Sequence, residues 1–212
     1  MELCSEGSLQ RALVKSHDMR WKDAFQAAVG LTEGVAYLHA GSSPLGVIVH
    51  SDLKPANAMV AKGWHTKLAD FGYAQLAHPS LGQLQGKGGT LCYLAPEMLR
   101  KKLSVAADVY SLGMMLWSVF TRKEPFVEKY KDDTDQIIKA ILAGEMNPIP
   151  SWLPANLAQL LQKCWSTQPR KRPSSLEVLQ ELKDSEGLLD PMLKLEHGHG
   201  LTAEELAPDS PE

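Results

Sequence analysis

Apolar residues recur at steps of three and four along several stretches of the chain, a spacing that predicts amphipathic helices. In residues 21–39 this pattern places Phe25, Leu31 and Val35 on one side of a helix. Residues 108–120 are apolar on nearly every side, so that helix should be central and buried. The same spacing predicts four further helices, over residues 5–15, 134–143, 155–165 and 174–183.

Short β-type patterns lie between the second predicted helix and the buried one. Residues 47–49 are all β-branched and predict a strand, because such side chains pack well on a pleated surface. Residues 58–60 and 66–69 flank Gly63 and predict a hairpin. A long, glycine-rich loop is expected over residues 70–94. The pattern therefore predicts a mainly helical domain with one small hairpin.

The composition of the chain changes at about residue 184. Residues 184–212 are acidic, contain three prolines and include Lys194 as their only lysine or arginine. Segments of this composition bury too little apolar surface to offset the entropy lost on ordering. We therefore predict one domain over residues 1–183, followed by an acidic tail over residues 184–212 that is disordered or only partly docked.

Bulk composition excludes several classes of protein. With 212 residues and a net charge of -3, there is no electrostatic case for binding nucleic acid or an anionic membrane. The three cysteines are far apart, which favours reduced thiols in an intracellular, cytoplasmic protein over disulfides or a zinc site. The longest apolar stretch, residues 112–120, is shorter than the roughly 20 residues that span a bilayer.

The most informative segment is residues 50–57, which read His-Ser-Asp-Leu-Lys-Pro-Ala-Asn. The triplet Asp-Phe-Gly follows at residues 70–72. Together they place a candidate proton acceptor, a cation and two metal-type ligands in one loop system. Phosphoryl transfer from a nucleotide to a hydroxyl needs that set of groups.

These segments resemble eukaryotic protein kinases. Residues 50–57, 70–72 and 95–97 are similar in order and spacing to the catalytic loop, the metal-binding triplet and the end of the activation segment of that family. The resemblance extends from Met1 to about Lys183. It implies a protein-kinase-like fold, of which this chain forms the mainly helical C-terminal lobe with a small β hairpin. It also implies ATP and Mg²⁺ as cofactors, protein substrates and a role in signal transduction.

The resemblance assigns the catalytic and metal-binding roles residue by residue. Asp52 would accept or orient the proton of the substrate hydroxyl, and Lys54 would neutralise charge on the transferred phosphoryl group. A lysine at that position resembles serine/threonine kinases rather than tyrosine kinases. Thr90 matches the threonine that hydrogen-bonds the catalytic aspartate. Asn57 and Asp70 would hold Mg²⁺, which prefers oxygen ligands.

The start of the chain resembles the hinge that borders the nucleotide. Met1 would be the gatekeeper, and the Glu2 carbonyl and Cys4 amide would face the adenine edge. Ser8 falls near the ribose. An apolar stack beneath the adenine would consist of Met59, Leu9, Met115 and Val119.

Structural support and one departure also follow from the resemblance. Glu97 and Arg172 match a buried ion pair, and Asp108 matches the residue that holds the backbone of the catalytic loop. His50 is interpreted as a buried core histidine rather than a base. Ser51 stands where many kinases carry an arginine that pairs with a phosphate on the activation loop. This departure resembles the tyrosine-kinase-like group, which includes receptor-interacting kinases.

Two hypotheses for the function follow. No glycine-rich phosphate loop or strand-borne lysine precedes residue 50, so we expect a truncated kinase without the N-terminal β lobe, and negligible phosphoryl transfer by these residues alone. The alternative is a catalytically inactive, kinase-like binding or scaffold module that competes for substrates or partners. In either case an apolar surface around Leu9, Met59 and Phe71 would be exposed at the lobe interface and could receive a protein partner.

Overall fold

The computed structural model describes residues 4–16, 19–41, 46–77, 90–131, 133–190, 193 and 195. It confirms the predicted helices, and adds the short helix α4. The helices are α1 (Leu9–Lys15), α2 (Trp21–His39), α3 (Val105–Thr121), α4 (Val127–Tyr130), α5 (Thr134–Ala143), α6 (Ala155–Cys164) and α7 (Ser175–Lys183). No helix among these described ranges is both long and apolar enough to span a membrane.

In the part of the chain that the structure describes, five short strands form two antiparallel sheets. The predicted hairpin is present as β3 and β4, and the predicted strand before residue 50 is β2. The strands are β1 (Gly7–Ser8), β2 (Ile48–Val49), β3 (Ala58–Ala61), β4 (His65–Leu68) and β5 (Gln75–Leu76). One sheet has the order β1-β3-β4, and the other pairs β2 with β5. Strands β1 and β5 were not predicted, because two residues are too few to show an alternating pattern.

Helix α1 begins later than its predicted start at residue 5 because the residues before it form β1. Ser8 caps the helix, since its side-chain oxygen accepts the backbone N–H of Arg11 at 3.3 Å. Ser8 also lies opposite Met59 in the register of β1 and β3. The cap thus fixes α1 and the edge of the sheet to each other.

Helix α3 forms the centre of the core, as its all-round apolar pattern predicts. Leu112, Met115 and Val119 are fully buried. An added Cβ on Gly113 would lie 2.6 Å from the Cβ atom of Cys164, so a glycine allows α3 and the end of α6 to approach closely. These contacts make α3 the support against which the loops of the candidate site are placed.

Two residues of the predicted tail dock onto the helical body. The Leu193 carbonyl accepts the backbone N–H of Trp21 at 2.7 Å, and the Leu195 N–H donates to the Met19 carbonyl at 2.9 Å. Leu195 is buried within the main apolar core. Residues 196–212 lie outside the described part of the chain, so the tail as a whole stays a prediction.

Candidate active site

The loop after β2 has a backbone shape that Asp108 holds in place. Ser51 has φ 72°, in the left-handed region that favours glycine. The buried carboxylate of Asp108, in the first turn of α3, accepts the His50 N–H at 2.7 Å and the Ser51 N–H at 2.9 Å. Charge-assisted hydrogen bonds of this kind are stronger than neutral ones and can offset the backbone strain. The interaction predicted for Asp108 is therefore confirmed.

His39 links Asp108 to a third helix. Its Nε2 atom lies 3.0 Å from the Oδ2 atom of Asp108, and its Nδ1 atom lies 3.0 Å from the Oγ atom of Ser175, the first residue of α7. The end of α2, the start of α3 and the start of α7 therefore meet behind the loop. The roles of His39 and Ser175 were not predicted, because nothing in their local pattern distinguishes them from other polar helix residues.

His50 packs inside the protein and contacts the segment that follows β4. Its side chain is fully buried, and its Nε2 atom lies 3.0 Å from the Ala69 carbonyl oxygen. The Phe71 ring lies 5.1 Å from the His50 ring, centre to centre. The interpretation of His50 as a core histidine is confirmed, and the residue ties the loop to the segment that bears Asp70.

Asp52 lies at the focus of the site and is 4% exposed. Its Oδ2 atom accepts a hydrogen bond from Asn57 Nδ2 at 2.8 Å and lies 3.1 Å from Lys54 Nζ. Its Oδ1 atom accepts the backbone N–H of Thr90 at 3.2 Å. A buried carboxylate held by several donors has a fixed direction, as a group that must orient a substrate hydroxyl requires. Thr90 reaches Asp52 through its amide, a contact that the sequence analysis did not specify.

Asn57 is oriented by two hydrogen bonds from its amide nitrogen. Nδ2 donates to the backbone carbonyl of Asp52 at 2.9 Å as well as to its carboxylate. An amide that gives both N–H groups to one neighbour directs its oxygen away from that neighbour. The Asn57 Oδ1 atom is therefore turned away from Asp52, and the metal-binding role of Asn57 stays a prediction.

Asp70 follows Ala69, whose backbone N–H donates to the Asn57 carbonyl at 2.9 Å. This hydrogen bond ties the segment that bears Asp70 to the loop that bears Asn57. Asp70 is exposed and has φ 57°, and its Oδ1 atom accepts the Gly72 N–H at 3.2 Å. In the described ranges no group of three or more His, Cys, Asp or Glu side chains could hold a metal. One amide and one carboxylate fit Mg²⁺, which keeps several waters or takes substrate phosphates as its other ligands.

The residues predicted around the nucleotide are only partly covered by the structure. Cys4, Ser8 and Met59 are each partly buried. Met1 and Glu2 lie outside the described residues, so their placement stays a prediction. Leu9 corrects one expectation: it is fully buried in the main core, because the first turn of α1 packs it inward. The predicted apolar surface therefore does not include it.

A solvent-open cavity of about 170 Å³ lies beside the loop of residues 50–57. Lys54 and Thr90 line it, and so do Tyr93 and residues at the end of α3. The Tyr93 hydroxyl lies 3.3 Å from the Ser118 hydroxyl, and burial raises the pKa of Tyr93 well above its ordinary value. The wall of the cavity is therefore uncharged at Tyr93 and cationic at Lys54.

The predicted ion pair between Glu97 and Arg172 is confirmed. Arg172 Nη1 donates to one carboxylate oxygen of Glu97 at 2.6 Å, and Nη2 donates to the other at 2.8 Å. Such a two-pronged pair fixes direction as well as distance. It anchors the segment that follows Thr90 to the helical body.

A buried aspartate beside a lysine, a nearby amide, an exposed carboxylate and an open cavity are the features expected of phosphoryl-transfer proteins. The protein kinase domain family model matches residues 1–182, and the chain belongs to that family. It is 36% identical over 180 residues to the probable serine/threonine-protein kinase drkD of Dictyostelium discoideum, covering 84% of this chain and 13% of that one.

Two further relatives show the same level of similarity. The chain is 34% identical over 187 residues to the dual specificity protein kinase shkB of Dictyostelium discoideum, covering 85% of this chain and 28% of that one. It is 34% identical over 196 residues to the mouse (Mus musculus) receptor-interacting serine/threonine-protein kinase 4, covering 87% of this chain and 24% of that one. The chain therefore spans much less than half the length of these relatives.

Proposed function

We propose that the chain is the helical C-terminal lobe of a serine/threonine protein kinase that transfers the γ-phosphoryl group of ATP to protein hydroxyls. The observation that carries the proposal is the fixed carboxylate of Asp52, held by Lys54, Asn57 and the Thr90 amide beside an open cavity. Kinase relatives and the family match support the reaction class. Residues 1–183 would form the lobe and residues 184–212 its tail.

In the proposed reaction Asp52 orients the substrate hydroxyl and takes up its proton as the hydroxyl oxygen bonds to the γ-phosphorus. The bond from the γ-phosphorus to the bridging oxygen of ATP breaks, and ADP leaves. Lys54 supplies positive charge next to the transferred group. Asn57 and Asp70 would hold Mg²⁺, which would neutralise negative charge on the phosphate groups. The Thr90 amide keeps the Asp52 carboxylate turned toward the acceptor.

Nucleotide contact is assigned to the edge formed by residues 2–8 and β3. Ser8 and Met59 lie side by side in the sheet register, so one could face the ribose while the other faces the adenine. Cys4 and Glu2 would face the adenine edge through their backbone. We further propose membership of the tyrosine-kinase-like group, supported by Ser51 and by the similarity to a receptor-interacting kinase.

Paramagnetic Mn²⁺ in place of Mg²⁺ tests the metal and nucleotide assignment. With ATP, Mn²⁺ should broaden the NMR signals of the Asn57 side-chain amide and the Gly72 amide first. Asp70→Asn should weaken this effect, whereas the exposed Asp133→Asn serves as the matched control. Equal broadening across the chain, or none with ATP at millimolar concentration, would contradict the proposed site.

Phosphoryl transfer is tested separately with labelled ATP and a mixture of protein substrates. Any transfer should fall by a factor of about 10² or more in Asp52→Asn, which removes the proton acceptor. Because a glycine-rich loop and a lysine position the phosphates in this family, we expect little transfer from these residues alone. Strong transfer that Asp52→Asn leaves intact would overturn the assigned mechanism.

A binding or scaffold module is the second candidate function. Two aromatic side chains beside Asp70 favour it, because Phe71 is 48% exposed and Tyr73 is 45% exposed. Exposed aromatic groups of this kind are enriched at protein interfaces. This function requires no metal. A folded chain that does not bind Mn²⁺ and ATP but still binds a protein partner would support it, provided that Phe71→Ser abolishes the binding of that partner. A cytoplasmic location stays a prediction.

A further inference from the structure

A cluster of cations lies beside the ion pair of Glu97 and Arg172, although the chain as a whole has a net charge of -3. Residues 98–105 and 166–173 together contain six lysine or arginine residues and no aspartate or glutamate. Arg172 is buried in the ion pair, and the other five side chains are exposed. These five form what we call the basic surface: Arg100, Lys101, Lys102, Arg170 and Lys171.

Hydrogen bonds hold the two halves of the basic surface next to each other. The Glu97 carbonyl accepts the backbone N–H groups of Arg100 and Lys102, each at 3.0 Å. The Glu97 carboxylate accepts both donors of Arg172, the residue that ends the second cationic run. Arg172 also donates to the Ala106 carbonyl at 2.8 Å. The five cations therefore lie around one fixed point at the start of α3.

The basic surface has no compensating charge of its own. Within the described part of the chain, none of its five side chains takes part in a hydrogen bond or an ion pair. The acids on the neighbouring helix α7 already have partners. Glu181 lies 3.0 Å from Lys163, and Glu177 accepts hydrogen bonds from Ser174. Like charges gathered in this way create a positive potential that attracts anionic groups.

Two exposed apolar side chains lie where α2 meets α7, which begins three residues after Arg172. Leu176 is 68% exposed and Tyr37 is 59% exposed. Tyr37 lies one turn from Glu33 on α2, and Leu176 lies two turns from Lys183 on α7. Glu33 and Lys183 are paired across the two helices at 2.8 Å. Tyr37 and Leu176 therefore lie on the same side of the contact between these helices.

The chemistry of this region selects one class of partner. Arginine and aromatic side chains are enriched at protein interfaces, and exposed apolar groups beside them supply the part that excludes water. A nucleic acid offers no aliphatic side chain to Leu176. Its further phosphates would also meet the rest of a chain whose net charge is -3. A short acidic protein segment meets only the local positive charge, because screening limits such attraction to about 8 Å at physiological salt.

We propose that the basic surface, with Leu176 and Tyr37 beside it, is an interaction surface for a protein partner. The segment it binds carries clustered carboxylates next to an apolar side chain. The carboxylates pair with the five cations, and the apolar side chain covers Leu176. The contact lies on the far side of the Glu97–Arg172 ion pair from Asp52 in the sequence, and it does not depend on the proposed kinase function.

An NMR titration of the full chain tests the charged part. The probe is a short synthetic peptide in which glutamate and aspartate residues flank one leucine, and its control carries glutamine and asparagine instead. The acidic peptide should shift the amide signals of Lys101, Lys102 and Lys171. Replacing these three lysines with glutamine should weaken binding by about tenfold or more, since each exposed ion pair is worth a few-fold.

A matched control variant carries the same change of charge elsewhere. The three exposed lysines replaced with glutamine in it are Lys22, Lys62 and Lys139. This variant should bind the acidic peptide nearly as well as the unmodified chain does. Equal weakening by the two sets of substitutions would mean attraction by overall charge and would overturn the proposed surface.

The apolar part is tested with Leu176→Ser and a second peptide in which serine replaces the leucine. Leu176→Ser should weaken binding of the leucine peptide several-fold and leave binding of the serine peptide unchanged, because only the first pair loses a contact. The same loss with both peptides would show that Leu176 makes no contact with the partner and would refute this part of the proposal.

Three other occupants are distinguished in the same assay. A DNA duplex, or vesicles containing phosphatidylserine, that bound through the same lysines more tightly than the acidic peptide would overturn a protein partner. Neutralising the acidic residues of the tail, in the variant Glu204→Gln, Glu205→Gln and Asp209→Asn, should leave the signals of the basic surface in place. A shift of those signals without any peptide would assign the surface to the tail instead. No nucleotide or phosphoryl transfer enters these measurements, so their outcome is independent of the kinase proposal.

Discussion

Glu97→Gln should destabilise the chain strongly, because it leaves the charge of Arg172 buried without its partner. The Arg172 side chain is fully buried, and that of Glu97 is 12% exposed. Arg172 also donates to the Ala106 and Ser166 carbonyls, each at 2.8 Å, and lies 5.0 Å from the centre of the Tyr110 ring. These contacts hold the guanidinium in place, so it cannot turn out to water when the carboxylate is removed.

The magnitude follows from the loss of one partner of a buried ion pair, which typically costs about 3–5 kcal/mol. Glutamine keeps one acceptor for Arg172 but presents an NH₂ group to the second donor. We therefore expect the free energy of unfolding to fall by about 3 kcal/mol. A domain has a total stability of about 5–15 kcal/mol, so this is a large fraction. The exposed pair of Lys183 and Glu33, 2.8 Å apart, provides the control, because Glu33→Gln should cost at most about 1 kcal/mol.

Urea unfolding followed by circular dichroism measures both variants. The expected result is a lower midpoint for Glu97→Gln with an unchanged slope, since the slope reports the surface exposed on unfolding. The double variant Glu97→Met with Arg172→Met should be more stable than Glu97→Met alone, because it removes the unpaired charge. A loss for Glu97→Gln no larger than that for Glu33→Gln would refute the reasoning.

Three further predictions concern packing, thiol reactivity and pH. Gly113→Ala should lower the free energy of unfolding measured in urea by about 1–3 kcal/mol, because its Cβ would lie 2.6 Å from that of Cys164; an unchanged free energy would show that the helices can separate without cost. Burial raises the pKa of Cys164 to about 12, so iodoacetamide at pH 8 should label the partly exposed Cys4 well before Cys164, as peptide mass spectrometry would show; equal labelling would contradict this. Hydrogen bonds from the backbone N–H and hydroxyl of Ser174 lower the pKa of Glu177, so its stabilising effect is present above the unfolded value of about 4.3 and is lost as the pH falls through the lower folded value. The difference in urea midpoint between the unmodified chain and Glu177→Gln should therefore close on acidification, and a difference that widens would be inconsistent with the capping interaction.

The sequence predicted those parts of the fold that depend on local periodicity. Helix α2 has the predicted bounds. The same periodicity places Leu9 and Leu13 four residues apart on one inward side, which agrees with their burial. The expectation that Leu9 would be exposed came from the resemblance instead, and there the local pattern was the better guide.

Contacts across long separations in sequence were predictable only where the family resemblance supplied them. It paired Asp108 with the loop at residues 50 and 51, and Glu97 with Arg172. It did not supply the contacts of His39 with Asp108 and Ser175, which are 69 and 136 positions away. A polar residue on a helix has no local signal for its distant partner, because the partner is chosen by how whole helices pack.

The backbone conformation at the candidate site explains why local propensity could not predict the remaining contacts of its residues. Ser51, Asp70 and Arg122 are three of the seven described non-glycine residues with positive φ, a conformation that their own preferences disfavour. Each is held by hydrogen bonds: Ser51 by Asp108, Asp70 by the Gly72 amide, and Arg122 through its own guanidinium. Where local preference and tertiary contacts disagree in this way, the contacts determine the shape. The loop of Asp52 lies between two such positions, Ser51 and Asp70, which is why the residues that hold it emerge from the three-dimensional structure.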